Sequence, residues 1–273
     1  MIEKHLEIEG ANGRKITIDY RYKTTDKSVT PIIYVHGFKG FKDWGSSNKV
    51  ADTFAENGFF YLKFNFSHNG VTLENPIDFV DLEAFGNNNY WLEFFELGLV
   101  LDWLEKENLP IDFSKLAVIG HSRGGGIALL RTAQDDRIHK AITWASVCDF
   151  ERRFPKDISE WEAKGVEYIY NGRTEQNMPL YFQLYSSFYE HKNALDIPMQ
   201  CLTIKQDVLV VHGTKDPAVG LEEAEEIKAA ITNSTLRVIH NSGHTFGGVH
   251  PAKDNCLPTN LKAVVNLCIA FLA

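Results

Sequence analysis

Cysteine is sparse and poorly placed for its usual structural tasks. The four residues, Cys148, Cys201, Cys256 and Cys268, lie far apart with no CxxC pair among them, which excludes a zinc ribbon or a redox dithiol and leaves buried free thiols as the expectation. Positive charge is also in deficit. With 28 Lys and Arg against 36 Asp and Glu, the formal net charge is −8, and nothing in the chain offers the basic character that a phosphate backbone attracts, so nucleic acid is not an expected partner. Long hydrophobic runs are missing too. Stretches such as Lys115–Ile119 fall far short of the ~20 apolar residues a membrane helix needs. The first residues, Met1 to Glu7, alternate charged and apolar side chains instead of forming the apolar core of a secretory signal, so a cytoplasmic location is expected. Neither HExxH nor GxGxxG occurs, and no metal or dinucleotide cofactor is expected.

What is present is a long alternation of strand and helix patterns. Lys4–Glu9 and Lys15–Tyr22 read as two strands joined at Asn12-Gly13, a two-residue hairpin signal. The continuous apolar run Pro31–Val35 fits a strand buried on both faces of a parallel sheet. Helical spacing over Asn48–Asn57, stopped by Gly58, leads into an apolar strand at Phe59–Phe66. A polar loop from Ser67 to Asn89 precedes a helix over Tyr90–Glu107, whose apolar face is broad enough to pack on a sheet. Then come a strand at Lys115–Ile119, a helix over Gly125–Ala133 and a strand at Ala141–Val147. After an aromatic-rich stretch from Asp149 to about Gln200, the alternation resumes with strands at Val208–Val211 and Leu236–Ile239, a helix through Leu221, Ala224, Ile227 and Ile231 between them, and a last helix from Pro258. The expectation is one α/β domain over residues 1–273: a mainly parallel sheet, an N-terminal antiparallel hairpin, helices on both faces, and a small lid inserted at about 149–200.

Chemistry concentrates where strands end. Gly120-His121-Ser122-Arg123-Gly124 is a G-x-S-x-G sequence, in which side chains flanking the serine would collide on a sharp strand-to-helix turn. Glycine and serine are common enough that the pentapeptide alone would arise by chance in roughly one chain in ten of this length. Its setting, between an apolar strand and a helix that opens on glycines, is what gives it weight. A serine hydroxyl needs a base to take its proton, and the attacked carbonyl needs donors for the charge that develops on its oxygen. The N–H of Arg123 is one such donor. His36-Gly37-Phe38, just after a buried strand, offers the N–H of Phe38 as a second, with His36 a hydrogen-bonded structural residue. Val210–Asp216 ends a strand in a turn that carries Asp216, an acid suited to hold a histidine in one tautomer, with Asp149 as its rival. His244, in Asn241-Ser242-Gly243-His244 after the last strand, is the base in the order serine, acid, histidine. Its competitors are His240 and His250.

The motifs HGFKG, GHSRGG, HGTKDPAV and GH resemble those of the α/β-hydrolase superfamily over essentially the whole chain. Among its branches the sequence is similar to bacterial dienelactone-hydrolase-like and prolyl-oligopeptidase-like hydrolases, and to feruloyl or cinnamoyl esterases with a small lid. The resemblance implies the triad Ser122, Asp216 and His244 that the strand-end argument reaches separately. Dienelactone hydrolases proper use a cysteine nucleophile, and Ser122 at that position argues against their activity. The expected function is hydrolysis of a carboxylic ester of a small molecule. A serine peptidase or amidase acting on short peptides is the alternative, and a non-catalytic ligand receptor on the same fold is a third reading. The lid aromatics either shape an apolar acyl pocket or pack the insertion onto the sheet. Arg152, Arg153 and Arg173 are candidates for meeting a substrate carboxylate. The alcohol, the acyl chain and the oligomeric state stay open.

Overall fold

The computed structural model describes all 273 residues. Strands β1 (Ile2–Glu9) and β2 (Lys15–Tyr22) form the antiparallel hairpin at one edge. Next to them lie β4 (Phe60–Asn65), β3 (Pro31–Val35), β5 (Ala117–His121), β6 (Lys140–Trp144), β9 (Asp207–Gly213) and β10 (Ser234–Ile239), giving the order β1-β2-β4-β3-β5-β6-β9-β10. From β4 to β10 every pairing is parallel. Strands that are buried on both faces show why they read as unbroken apolar runs: Ile32, Ile33, Val35, Phe60, Leu62 and Phe64 are all fully buried.

Alternate residues of these strands feed two separate cores. Ile33, Val35 and Val118 pack on one face under α3 (Tyr90–Lys106), α4 (Arg123–Gln134) and α9 (Leu221–Ala230). Ile32, Ile119 and Ile142 face the other way, onto α1 (Ser47–Glu56) and α10 (Thr259–Leu272). None of the helices is long and apolar enough to cross a membrane.

Between β6 and β9 the chain leaves the sheet. It forms α5 (Ile158–Lys164), an antiparallel hairpin of β7 (Val166–Asn171) and β8 (Gln176–Tyr181), and three short helices, α6 (Gln183–Glu190), α7 (Lys192–Leu195) and α8 (Ile197–Cys201). Its aromatic side chains mostly pack on one another. Trp161 is wholly buried, its indole N–H donates to Leu180 O at 2.8 Å, and Phe154, Phe182 and Tyr185 surround it in tilted and edge contacts, with Phe188 packed edge-on against Phe154.

Several expectations need correction. The turn at Asn12-Gly13 is a five-residue loop, because Glu9 pairs with Lys15 and the N–H of buried Ala11 is drawn onto Glu96 Oε1 at 2.9 Å. Within the supposed polar loop 67–89 lies a short helix, α2 (Leu82–Asn87), opened by Asp81, whose side chain accepts from the N–H of Ala84. Strand β6 stops at Trp144 because Ala145 takes a left-handed φ of 48°, and helix α4 begins at Arg123, two residues earlier than expected. All four cysteines are free, but Cys256 is exposed.

Candidate active site

The chain runs outward from β3 to β4 and then returns to the other side of β3 as β5, so loops diverge at the ends of these two strands and leave a crevice there. Ser122 stands at the end of β5, with φ 56° and ψ −121°. A non-glycine residue held there stores about 1–3 kcal/mol of backbone strain. The surroundings enforce it: a Cβ on Gly120 would lie 2.2 Å from Gly124 O, and one on Gly124 would lie 2.4 Å from His36 O. The Ser122 backbone is itself tied down, its N–H donating to Trp144 O at 2.9 Å and its carbonyl accepting from Gly125 at 2.9 Å.

The loop after β3 presses against this turn. A Cβ on Gly37 would sit 2.9 Å from Ser122 Cβ, which brings the following residue, Phe38, beside the serine. Neither the N–H of Phe38 nor that of Arg123, the first residue of α4, has a protein acceptor, as two donors reserved for a ligand oxygen would require.

Asp216 and His244 meet at the ends of β9 and β10. His244 Nδ1 and Asp216 Oδ2 are 2.7 Å apart, and the Asp216 side chain is wholly buried. The other carboxylate oxygen, Oδ1, accepts from the N–H groups of Ala218 and Val219 at 2.8 and 3.0 Å. Burial pushes the Asp216 carboxyl up, but the bonds from His244 and these two amides outweigh it and hold the pKa below the ordinary aspartate value. Asp149 does something else: its Oδ1 caps the N–H of Glu151 and its Oδ2 lies 3.6 Å from Arg152. His240 is exposed, while His250 packs edge-on against Phe41 and accepts the N–H of Gly45 through Nδ1 at 2.8 Å. The structure holds a hydrogen bond between His244 and Asp216 but none between His244 and Ser122, a contact that commonly tightens only when substrate arrives.

Three neighbours fasten these loops together. His121 donates Nε2–H to His244 O at 3.0 Å, so the residue before the serine grips the histidine loop. His36 donates Nδ1–H to Gly37 O at 3.0 Å and accepts the Phe66 N–H through Nε2 at 3.4 Å, which fixes a neutral tautomer. His212, behind Asp216, donates Nε2–H to Val219 O at 3.0 Å and braces the acid's loop.

Burial drives His36 down to about 4 from its ordinary 6.5. The unfolded chain therefore takes up a proton near pH 6.5 that the folded chain refuses until about pH 4, so the stability tied to His36 is complete above pH 6.5 and drains away as pH falls toward 4. The loss amounts to roughly 3 kcal/mol at most. Melting temperatures measured across this range should fall steeply in the native protein and less so in His36→Gln; a flat native profile would refute the assignment.

The Arg123 side chain is anchored as well. Its buried guanidinium lies 4.2 Å from the Phe38 ring centroid and 4.9 Å from that of Tyr90, and it pairs with buried Glu93 at 3.4 Å. The charged group thus clamps the Phe38 loop to the start of α3, and removing one partner alone would strand a buried charge at a cost of about 3–5 kcal/mol. Sequence reading missed this clamp, because Glu93 lies 30 residues upstream with no motif to mark it. Of the three candidate arginines, Arg152 and Arg153 are engaged by Glu226 and Glu223 on α9, away from the crevice. Arg173 alone reaches a cavity of about 240 Å³ that His244, Phe38 and Gly37 also line. None of the lid aromatics lines it; Phe154, Phe182 and Tyr185 pack on Trp161 instead.

Residues 91–255, more than half of the chain, match the model of the prolyl oligopeptidase family. No curated protein matches the sequence. Among solved structures, Est1E from Butyrivibrio proteoclasticus is similar with a TM-score of 0.70 at 17% identity, covering 98% of this chain and 97% of its own; with ferulic acid bound, it gives 0.73 at 18% and the same coverage. The esterase domain of a Rhodothermus marinus protein gives 0.66 at 16% identity, over 99% of this chain and 98% of that domain. The acylaminoacyl peptidase of Pyrococcus horikoshii gives 0.68 at 14% identity, covering 99% of this chain but 41% of the peptidase. At these identities the likeness shows a shared fold, that of the α/β hydrolases.

Proposed function

The chain belongs to the prolyl oligopeptidase family of α/β hydrolases, and from that premise we propose that it is a serine hydrolase cleaving carboxylic esters of small molecules through an acyl-enzyme. His244 Nε2 takes the proton of Ser122 Oγ as the oxygen attacks the acyl carbon. The tetrahedral oxyanion is held by the N–H groups of Phe38 and Arg123, and its collapse breaks the bond to the alcohol oxygen, which leaves with the proton from His244. Water, deprotonated by the same histidine, then attacks the acyl-serine; the acid is released and Ser122 recovers its proton. Asp216 keeps Nδ1 protonated throughout and stabilises the imidazolium that forms in each step.

The observation that carries this reading is the wholly buried Asp216 carboxylate bonded to His244, beside a serine held at positive φ. Peptide cleavage is the second reading, favoured by the family itself and by the peptidase relative. A fluorophosphonate probe followed by a panel of p-nitrophenyl esters, hydroxycinnamate esters and aminoacyl anilides separates the possibilities. The expected result is covalent labelling with esters turned over at the higher kcat/KM. Anilides preferred over esters would replace the esterase reading with the peptidase one, and a protein that neither labels nor turns over any substrate would point to a ligand receptor.

A further inference from the structure

The cavity beside His244 has an unusual charge. Among the residues around it are Lys39 and Arg173 but no aspartate or glutamate, in a chain whose formal net charge is −8. Of the histidines on its walls, burial holds His36 and His121 far below their ordinary pKa, so they add no positive charge near neutral pH.

Arg173 comes from the connection between β7 and β8. Its guanidinium carbon lies 5.7 Å from the ring centroids of both Phe41 and Phe79. Nη1 meets Asp78 at 3.1 Å, a carboxylate whose side chain is 58% exposed and therefore a weak, water-screened partner. Nη2 is buried and has no protein acceptor. Asn171, 6% exposed, turns its Oδ1 to the N–H of Arg173, and its Nδ2 is likewise buried without a partner. Lys39, also in the cavity wall, has a single long polar contact, from Nζ to Tyr170 O at 3.5 Å beside Asn171, and burial lowers its pKa. The chain itself supplies no acceptor to either buried donor, Arg173 Nη2 or Asn171 Nδ2.

We propose that this cavity is an anion subsite of the hydrolase, formed by Arg173, Asn171 and Lys39, and that it recognises a carboxylate carried by the ester substrate. The proposal rests on the hydrolase reading above and specifies its substrate class. Two cations facing one screened carboxylate leave a surplus of a single positive charge, which suits a carboxylate better than a doubly charged phosphate. The planar guanidinium and the amide supply N–H donors to the two carboxylate oxygens. Phe41 and Trp44 in the same wall accommodate the carbon skeleton between the carboxylate and the ester. The lid thus contributes polar reach to the site while its aromatic residues hold it together.

The test compares matched charged and neutral esters. p-Nitrophenyl hemiglutarate against p-nitrophenyl valerate places the carboxylate on the acyl part; 3-acetoxybenzoate against 3-acetoxybenzamide places it on the alcohol part. In the native protein, kcat/KM for the charged member of at least one pair should exceed that of its neutral partner by about tenfold, with the advantage shrinking as salt is added. The pair that shows it identifies which part of the ester enters the subsite. In Arg173→Gln, and separately in Lys39→Met, the ratio within that pair should fall toward one; because it is a ratio, a general loss of activity cancels. Neutral esters hydrolysed with no charged preference in either pair would overturn the subsite and leave the hydrolase standing. Absence of any hydrolysis and of fluorophosphonate labelling would overturn both.

Discussion

Ser122→Ala is expected to lower kcat for any ester the protein hydrolyses by roughly a million-fold and to abolish fluorophosphonate labelling, while the fold survives. The fold should survive because the strained turn is held by main-chain contacts that alanine retains: the N–H bond to Trp144 O, the carbonyl bond to the N–H of Gly125, and the approach of Gly37. Alanine carries the same Cβ as serine and suffers the same strain at φ 56°, so the variant removes one oxygen and little else. The loss is large because the remaining groups act on that oxygen. With no Oγ to deprotonate, His244 can only activate water in a site shaped for an acyl-serine, and the two oxyanion donors then supply most of the residual rate. Steady-state kinetics together with a melting curve would check both halves. Activity within tenfold of native, in a preparation free of contaminating esterase, would remove Ser122 from the mechanism.

The parts of this molecule that a reader could see in the sequence are those where the cause is local. Pro31–Val35 and Phe60–Asn65 are legible as strands because both their faces are buried, so apolar residues dominate the run even though β4 also carries the buried Lys63 and Asn65. The Ser122 turn is legible because the collision that requires Gly120 is with Gly124, four positions on, although the one that requires Gly124 comes from the distant β3 loop at His36. What hides is whatever depends on distant partners. The Asn12-Gly13 turn widens because Glu96, on α3, takes the N–H of Ala11. The β7–β8 hairpin gives no inward apolar alternation to find, since Tyr168 and Tyr170 are 56% and 59% exposed. Helix α2 is a six-residue turn without a periodic face, placed by its Asp81 cap and by packing against the lid hairpin. The Arg123 clamp joins α4 to the β3 loop and to α3, and the anion cavity gathers its cations from the β3 loop and from the lid, so neither leaves a mark at any single place in the chain.

Asp216→Asn should cost about ten-thousand-fold in kcat, a larger effect than an isosteric change inside a buried hydrogen bond would ordinarily suggest. The reason lies in how the carboxylate is held. Oδ1 accepts two backbone N–H groups, from Ala218 and Val219, and an asparagine will keep its carbonyl oxygen there because its amide nitrogen cannot accept from them. The NH2 must then take the position of Oδ2, 2.7 Å from His244 Nδ1. Two donors cannot face one another at that distance, so the imidazole switches to the tautomer with Nδ1 bare and Nε2 protonated. In that form Nε2 has no lone pair with which to take the Ser122 proton, although the ring, the serine and the oxyanion donors keep their places. The native carboxylate, by contrast, is kept ionised by the same three bonds that hold its pKa below the ordinary value despite burial. The measurement is kcat for a p-nitrophenyl ester in Asp216→Asn beside Asp149→Asn. The first should fall by about four orders of magnitude. The second should change little, because Asp149 caps a turn at the start of the lid. The reverse ranking would move the acid to the end of β6 and break the link between Asp216 and catalysis.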